Sequence, residues 1–484
     1  MRRVAFFFAC LAVAAASQAF AAAYDPKPWL DDLGQMRAAF SAKYANFEWA
    51  VFVQEIDVAG LFADAQKRIE NGGSDADARA AFDGLVRRLN DGHVELHWPA
   101  HAPAGAPGGD GAPCAHFDTA RAAKPLVSLA AGYVPLETPQ SDIFPAGVIV
   151  SGSHHVGVIK IAAFDPYSTP QLCSAALAAL AIPPDRPCDD ACGDRVGDWG
   201  EARMNEEFIA QIKALEGAKI DTLLVDIAGN GGGTEWADAA ARMLTPVRLR
   251  SPRIGFMRGA HWTKKFGDLE ASLRAEAKTA SPADRQMLLA FATDAAAKEK
   301  IAETPCDATP LWEGRHPDCA WLGAGFYTTG LLDSADPETL RGKPWGPSVF
   351  IPMEYQYTEG LWRGPLIVVV DGYSGSSSER FAAELQDNHA ALIMGEPTYG
   401  AIGGHTDGGT PTTLSNSGAV LVVPDSSELP TESGKAVGGV VPEVLVGFRR
   451  TDGPHLRAAA FLEKLPEAVA IAWQSTPPVT LRHE

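Results

Sequence analysis

A serine hydroxyl is a weak nucleophile until a base takes its proton and hydrogen-bond donors hold the oxyanion that its attack creates. The run Ser374-Gly375-Ser376-Ser377-Ser378-Glu379 stands between an apolar stretch, Leu366 to Val370, and a segment that reads as a helix to about Gln386. A strand-turn-helix junction of this kind presents unpaired N–H groups at the start of its helix. Ser376-x-x-Glu379 also spells a capping box, which is the commoner use of the pattern. Ser374, Ser377 and Ser378 are equally eligible as nucleophiles on residue type.

A second run, Gly229-Asn230-Gly231-Gly232-Gly233, follows the apolar stretch Leu223 to Ile227. Glycines let the backbone approach a ligand closely and orient its N–H groups. The run lacks the Lys-Ser/Thr end of a phosphate loop and the spacing of a dinucleotide-binding turn. A tight strand-to-helix turn capped by Asn230 is the plain alternative. His93, His97 and His101 are spaced by four, which on a helix would suit a metal. Pro99, Pro103 and the alternation of Val94, Leu96 and Trp98 with His93, Glu95 and His97 predict a strand instead. On that strand His93, Glu95 and His97 share a face, and a weak metal site there is the alternative reading. The reading adopted is that the chain uses no metal and no cofactor.

The elements that must position these residues follow from periodicity. Residues 28–90 read as helices, with Leu30, Leu33, Met36, Phe40 and Phe47 at roughly helical spacing and Ser74 capping a helix that ends at Leu89. Residues 99–113 are rich in Pro, Gly and Ala. From residue 148 the texture is α/β. Strands are predicted at 148–150, 156–161, 223–227, 366–370, 391–394, 419–423 and 440–446, with helices at 205–215, 236–244 and 455–473. Strands alternating with helices imply a largely parallel sheet, at whose carboxyl ends function gathers. The expected division is a leader over 1–21, a helical cap over 22–98, a linker over 99–147, an α/β domain over 148–450 with an insertion at about 245–350, and a C-terminal helix and tail over 451–484.

The 484 residues carry a net charge of −19, which excludes a phosphate-backbone binder and predicts no nucleic-acid partner. No 18-residue apolar run follows residue 25, so no membrane span is expected. Arg2 and Arg3, the apolar Val4 to Ala16 and the small-x-small Ala19-Phe20-Ala21 predict a cleaved export signal and a periplasmic destination. Six cysteines remain beyond it, an even number that allows three disulfides and 15 connectivities in an oxidising compartment. Cys188 with Cys192 and Cys306 with Cys319 are the nearest pairs in sequence.

Five blocks together resemble the serine peptidase family that groups the C-terminal processing peptidases, the tricorn core peptidase and the interphotoreceptor retinoid-binding protein modules. Leu89-Asn90-Asp91-Gly92-His93 is similar to its L-x-D-x-H block, and Leu224 to Gly233 to its strand followed by D-x-R-x-N-x-G-G. Ser374 to Glu379 is similar to S-A-S-A-S-E. Gly395-Glu396-Pro397-Thr398-Tyr399-Gly400 and Gly439-Val440-Val441-Pro442-Glu443 are similar to G-E-x-T-x-G and G-V-x-P-D. The resemblance implies a crotonase-like ββα-type α/β fold with an N-terminal helical cap. It implies Ser376 as nucleophile, Glu379 in the same catalytic constellation, and an oxyanion hole from the Ser377 amide and a glycine of Gly232-Gly233.

Ala401 stands where the Ser-Lys branch carries its lysine, and His405 where that lysine's partner glutamine falls. The resemblance therefore implies the tricorn-type arrangement, with His93 as base and His405 as the alternative base. Gly92, Ala228, Ala436 and Val437 replace a serine, an arginine and an acid of the family pattern, leaving Glu428 or Glu432 to orient a histidine. No PDZ module is evident before residue 148. The expected function is an exported serine peptidase acting on peptide or unfolded-protein substrates. The alternative is a non-catalytic module on the same fold that binds peptide or an apolar ligand.

Overall fold

The computed structural model describes residues 24–99, 113–114, 126–401, 403–406, 409–429, 439–447, 449 and 451–475. The leader, His101, Pro103, Glu432, Ala436 and Val437 lie outside the described residues. The described residues open with four helices: α1 (Lys27–Lys43), α2 (Phe47–Phe52), α3 (Val58–Glu70) and α4 (Asp75–Leu89). Ser74 Oγ accepts the Asp77 N–H at 3.2 Å, and Asp75 and Asp77 place negative charge on the first turn of α4, where the helix dipole favours it. Asn90, left-handed with φ 51°, ends α4 and turns the chain at once into Asp91-Gly92-His93. Strand β1 (Glu95–His97) follows.

The α/β part begins with β2 (Val134–Pro135), β3 (Ala146–Ser151) and β4 (His154–Lys160). Helices α5 (Pro170–Ala179) and α6 (Asp190–Gly217) lead to β5 (Thr222–Asp226) and α7 (Trp236–Met243). Helix α6 is far longer than the predicted 205–215, because Gly193, Gly197 and Gly200, which weaken helix propensity, sit inside a helix that packing holds. The insertion contains β6 (Arg253–Met257), α8 (Ala260–Ala277), α9 (Pro282–Ala302), β7 (Leu322–Tyr327) and the one-turn helices α10 (Thr309–Trp312), α11 (Pro337–Leu340) and α12 (Gly346–Val349). The chain returns through β8 (Leu366–Val370), α13 (Ser377–Asp387), β9 (Leu392–Gly395), β10 (Thr412–Thr413), β11 (Val420–Val422), β12 (Ser426–Glu428), β13 (Val444–Leu445) and α14 (Pro454–Ser475).

Among the described residues, seven strands form the central sheet in the order β13-β9-β8-β5-β4-β3-β2. β4, β5, β8, β9 and β13 are parallel, and β3 and β2 continue the sheet antiparallel. Both faces are covered, which is why β5 and β8 read as continuous apolar runs. Leu223, Val225, Val368 and Val370 pack against α6, α7 and α13. Leu224, Ile367 and Val369 face Phe461, Leu465 and Val469 of α14.

The N-terminal helices and the insertion share one further core, which joins Phe40, Phe47 and Phe82 to Phe256, Trp262 and Trp321. The strand predicted at 419–423 forms outside the central sheet, as β11. It pairs antiparallel with β1 of the cap, and β12 pairs with β6 of the insertion. Apolar alternation marks a strand but does not name its partner.

Disulfides join Cys114 to Cys173, Cys188 to Cys192, and Cys306 to Cys319. Among the described residues no helix is long and apolar enough to cross a membrane.

Candidate active site

Strand β8 ends at Val370, and a tight turn carries the chain to Ser376 at the start of α13. Ser376 has φ 54° and ψ −125°, outside the regions a non-glycine residue ordinarily occupies. Such a backbone costs about 1–3 kcal/mol and persists only where its surroundings impose it. Its hydroxyl does not cap α13. It points instead to His93, whose Nε2 lies 3.2 Å from Ser376 Oγ.

The other serines of the run are occupied or enclosed. Ser374 Oγ donates to Ile227 O at 3.0 Å, Ser377 Oγ donates to Gly233 O at 2.9 Å, and Ser378 is fully buried.

His93 is held by Asp91. Asp91 Oδ1 accepts the His93 N–H at 2.9 Å and lies 4.0 Å from His93 Nδ1. Asp91 Oδ2 accepts from Tyr44 Oη and Asn46 Nδ2, both at 2.9 Å. Burial pushes the His93 imidazole below its ordinary value of 6.5. Asp91 and Glu95 oppose that shift, and His405 and Arg380 add to it. His97 turns away to pair with Glu95 at 2.8 Å, so the three polar residues that share a strand face do not converge on a common point.

The glycine run abuts the serine. A Cβ at Gly232 would lie 2.8 Å from Ser376 Cβ and 2.9 Å from Gly375 O, and its φ is 111°, so glycine is required there. The Gly232 N–H donates to Asn230 Oδ1 at 2.9 Å, which favours Gly233 as the member of the pair that serves an oxyanion. Gly233 keeps its amide out of the bridge it forms with Phe164, whose partners are the Gly232 carbonyl and the Thr234 N–H. Ser377 is the first residue of α13, where backbone N–H groups have no intrahelical acceptor. The Ser377 hydroxyl, bonded to the Gly233 carbonyl, stitches these two amide-bearing positions together.

Glu379 does not touch the reacting atoms, contrary to its expected place among them. Its buried carboxylate accepts from Thr398 Oγ1 at 2.6 Å, Gly400 N at 2.6 Å and Ala401 N at 2.8 Å, and from the Ser376 amide. Half of the capping box therefore forms, and it anchors the 398–401 loop to the start of α13. Replacing Glu379 by alanine strands a hydroxyl and three amides. The expected loss is about 2–4 kcal/mol of stability, read as a fall in the urea midpoint.

His405 lines the same cleft beside His93, with ring centroids 5.5 Å apart, and makes no hydrogen bond to Ser376. Glu428 is surrounded by Arg380, Glu379 and Asp238 rather than by a histidine, and burial raises its carboxyl to about 7. Arg380 Nη2 donates to the Ser377 hydroxyl at 3.1 Å. Sequence reasoning did not find Tyr44 and Asn46, which hold Asp91 from 47 and 45 residues away. Nothing local in sequence marks them.

Ser376 and His93 open onto a cleft of about 750 Å³. Ile254, Trp262, Leu269 and Phe326 of the insertion supply apolar wall, and Glu235, Glu354 and Arg380 supply charge.

A nucleophile on a strained turn, an imidazole in hydrogen-bond reach and amides at a helix start define a hydrolase of the serine type. The family model for peptidase family S41 matches residues 155–446, and the chain belongs to that family of serine peptidases. Solved structures agree in fold. Mature CPAF is 14% identical over 93% of this chain and 98% of that chain, with a TM-score of 0.56. Mature CPAF complexed with lactacystin is 14% identical over 93% and 99%, with a TM-score of 0.55.

Proposed function

We propose that this serine peptidase is exported and cleaves peptide bonds of extended peptide or unfolded-protein segments through Ser376, with His93 as the general base. The distance of 3.2 Å between His93 Nε2 and Ser376 Oγ supports this reading over a binding-only module, which needs no such approach. With the Nδ1–H tautomer, Nε2 takes the hydroxyl proton as Oγ attacks the scissile carbonyl. The Gly233 and Ser377 amides receive the oxyanion. The imidazolium, 4.0 Å from the Asp91 carboxylate, then gives its proton to the leaving amine. Water, activated by the same nitrogen, releases the acyl group and restores the serine.

The 750 Å³ cleft beside Ser376 has room for several residues of an extended chain. Three disulfides support an oxidising compartment, in keeping with the basic and apolar leader and a periplasmic destination. The test is a fluorophosphonate probe with casein as substrate. The wild type is expected to take one label, on Ser376, and to lose casein hydrolysis in proportion. Labelling elsewhere, or undiminished hydrolysis after full labelling, would count against the proposal.

A further inference from the structure

A lysine is buried beneath this site, on the far side of the glycine run from the cleft. Lys160 is the last residue of β4 and is only 2% exposed. Its ammonium donates to Asp226 Oδ1 at 3.0 Å and to the carbonyl of Ala228. Asp226 is used completely: Oδ1 also accepts the Ala228 N–H at 3.0 Å, and Oδ2 accepts the Leu126 N–H at 2.7 Å. Ala228 is thus gripped at both its carbonyl and its amide, immediately before the glycines begin.

Burying an ammonium–carboxylate pair costs several kcal/mol of desolvation, and apolar replacements of similar size are often no less stable. Stability is therefore a weak account of why a charge stands here. The glycine run gives a stronger one. Residues 229–233 include four glycines, three of them at positive φ: Gly229 at 77°, Gly232 at 111° and Gly233 at 147°. Such a run has many conformations to lose, and external contacts must choose one.

Those contacts form a series. Lys160 and Asp226 fix Ala228. Asp371 Oδ1 accepts the Gly229 N–H at 2.7 Å and the Tyr373 N–H at 3.0 Å, tying the run to the turn that carries Ser376. Asn230 accepts the Gly375 N–H at 3.1 Å and orders Gly232. The last of these bonds falls on Gly232, one residue before the Gly233 amide. Lys160 itself lines a separate pocket of about 150 Å³ with Asp226, Ala228 and Asp371, and neither Ser376 nor His93 borders that pocket.

We propose that Lys160 is a positioning residue for the oxyanion hole: its ammonium, through Ala228 and Asp226, sets the path of the glycine run and so the aim of the Gly233 amide at the carbonyl attacked by Ser376. This rests on the reading of Ser376 and Gly233 given above. Lys160 meets no substrate, so its effect falls on the chemical step and leaves substrate binding nearly untouched.

The experiment compares Lys160→Met and Lys160→Arg with the wild type. A fluorophosphonate taken to completion counts reactive sites, and the second-order labelling rate and peptide kcat are then expressed per reactive site. Lys160→Met is expected to label about 10- to 100-fold more slowly and to lose kcat in step, with KM within about twofold. Lys160→Arg, which keeps charge and donors, is expected to recover most of the loss. Lys160→Gln, a neutral residue that keeps a donor, is read by the same rate constant if the methionine variant does not fold. Sites in Lys160→Met or Lys160→Gln that react at the wild-type rate, with only their number reduced, would overturn the proposal and leave Lys160 a structural residue. A wild type that does not react with the probe would overturn it differently, by removing the reading of Ser376 itself.

Discussion

Replacing Ser376 by alanine is expected to lower kcat for casein or a peptide substrate by on the order of 10⁴-fold or more, with KM little changed and fluorophosphonate labelling abolished. That fold-change corresponds to about 5 kcal/mol of transition-state stabilisation. The loss is large because no other hydroxyl of the run can substitute. Ser374 Oγ and Ser377 Oγ are each bonded to a backbone carbonyl, and Ser378 is fully buried. The fold should survive, since the Ser376 hydroxyl caps nothing, and alanine at φ 54° adds no strain that serine does not already bear. An unchanged melting transition with abolished turnover is the expected pair of results. Ser376→Ala enzyme that retains more than a few per cent of wild-type turnover would mean that the nucleophile lies elsewhere.

The second large effect is at His93. His93→Ala is expected to reduce kcat by a similar order, because the serine then has no base within reach and its proton leaves only to water. His405→Gln is expected to keep activity within about tenfold, since His405 makes no hydrogen bond to Ser376. The pH dependence separates the two histidines further. His93 acts as a base only when neutral, so kcat/KM rises with pH as it loses its proton.

The groups that face His93 are Asp91, Glu95, His405 and Arg380. Burial is the largest influence and lowers its pKa, with His405 and Arg380 acting in the same direction. The acid limb of kcat/KM is therefore expected below the ordinary imidazole value of 6.5. Removing the His405 imidazole takes away one influence that disfavours the imidazolium, so His405→Gln should move that limb to higher pH. A His405→Gln enzyme that loses turnover outright while His93→Ala retains it would reverse the assignment of the base.

How much of this site is legible in sequence depends on whether a residue's role is local. The strand-turn-helix setting of Ser376 is local, since the apolar run Leu366 to Val370 and the helix signals after Ser376 lie within a few residues of it. The approach of His93 follows only from the resemblance of its block to a family pattern, because 283 residues separate it from Ser376. Glu379 is the instructive miss. Its spacing from Ser376 fits a capping box, but a carboxylate has two oxygens, and the tertiary fold supplies Thr398, Gly400 and Ala401 as further donors. Gly232 and Gly233 are indistinguishable by type. The side chain of Asn230, folded back onto the Gly232 amide, tells those two amides apart.

Sequence by itself determined the local elements: apolar runs such as Leu366 to Val370 must be buried on both faces, and the apolar spacing in residues 28–90 must form helices. It also determined which strand ends could carry chemistry, because glycine and serine runs interrupt those apolar stretches. Tertiary structure alone decided which cap residues meet which strand end. Tyr44 and Asn46 hold Asp91 beneath His93, Lys160 from β4 grips Asp226, and Asp371 from the turn after β8 ties down the glycine run. The reason is physical: periodicity records how far each residue is buried, whereas the direction of a hydrogen bond between distant segments depends on atomic positions that no local pattern encodes.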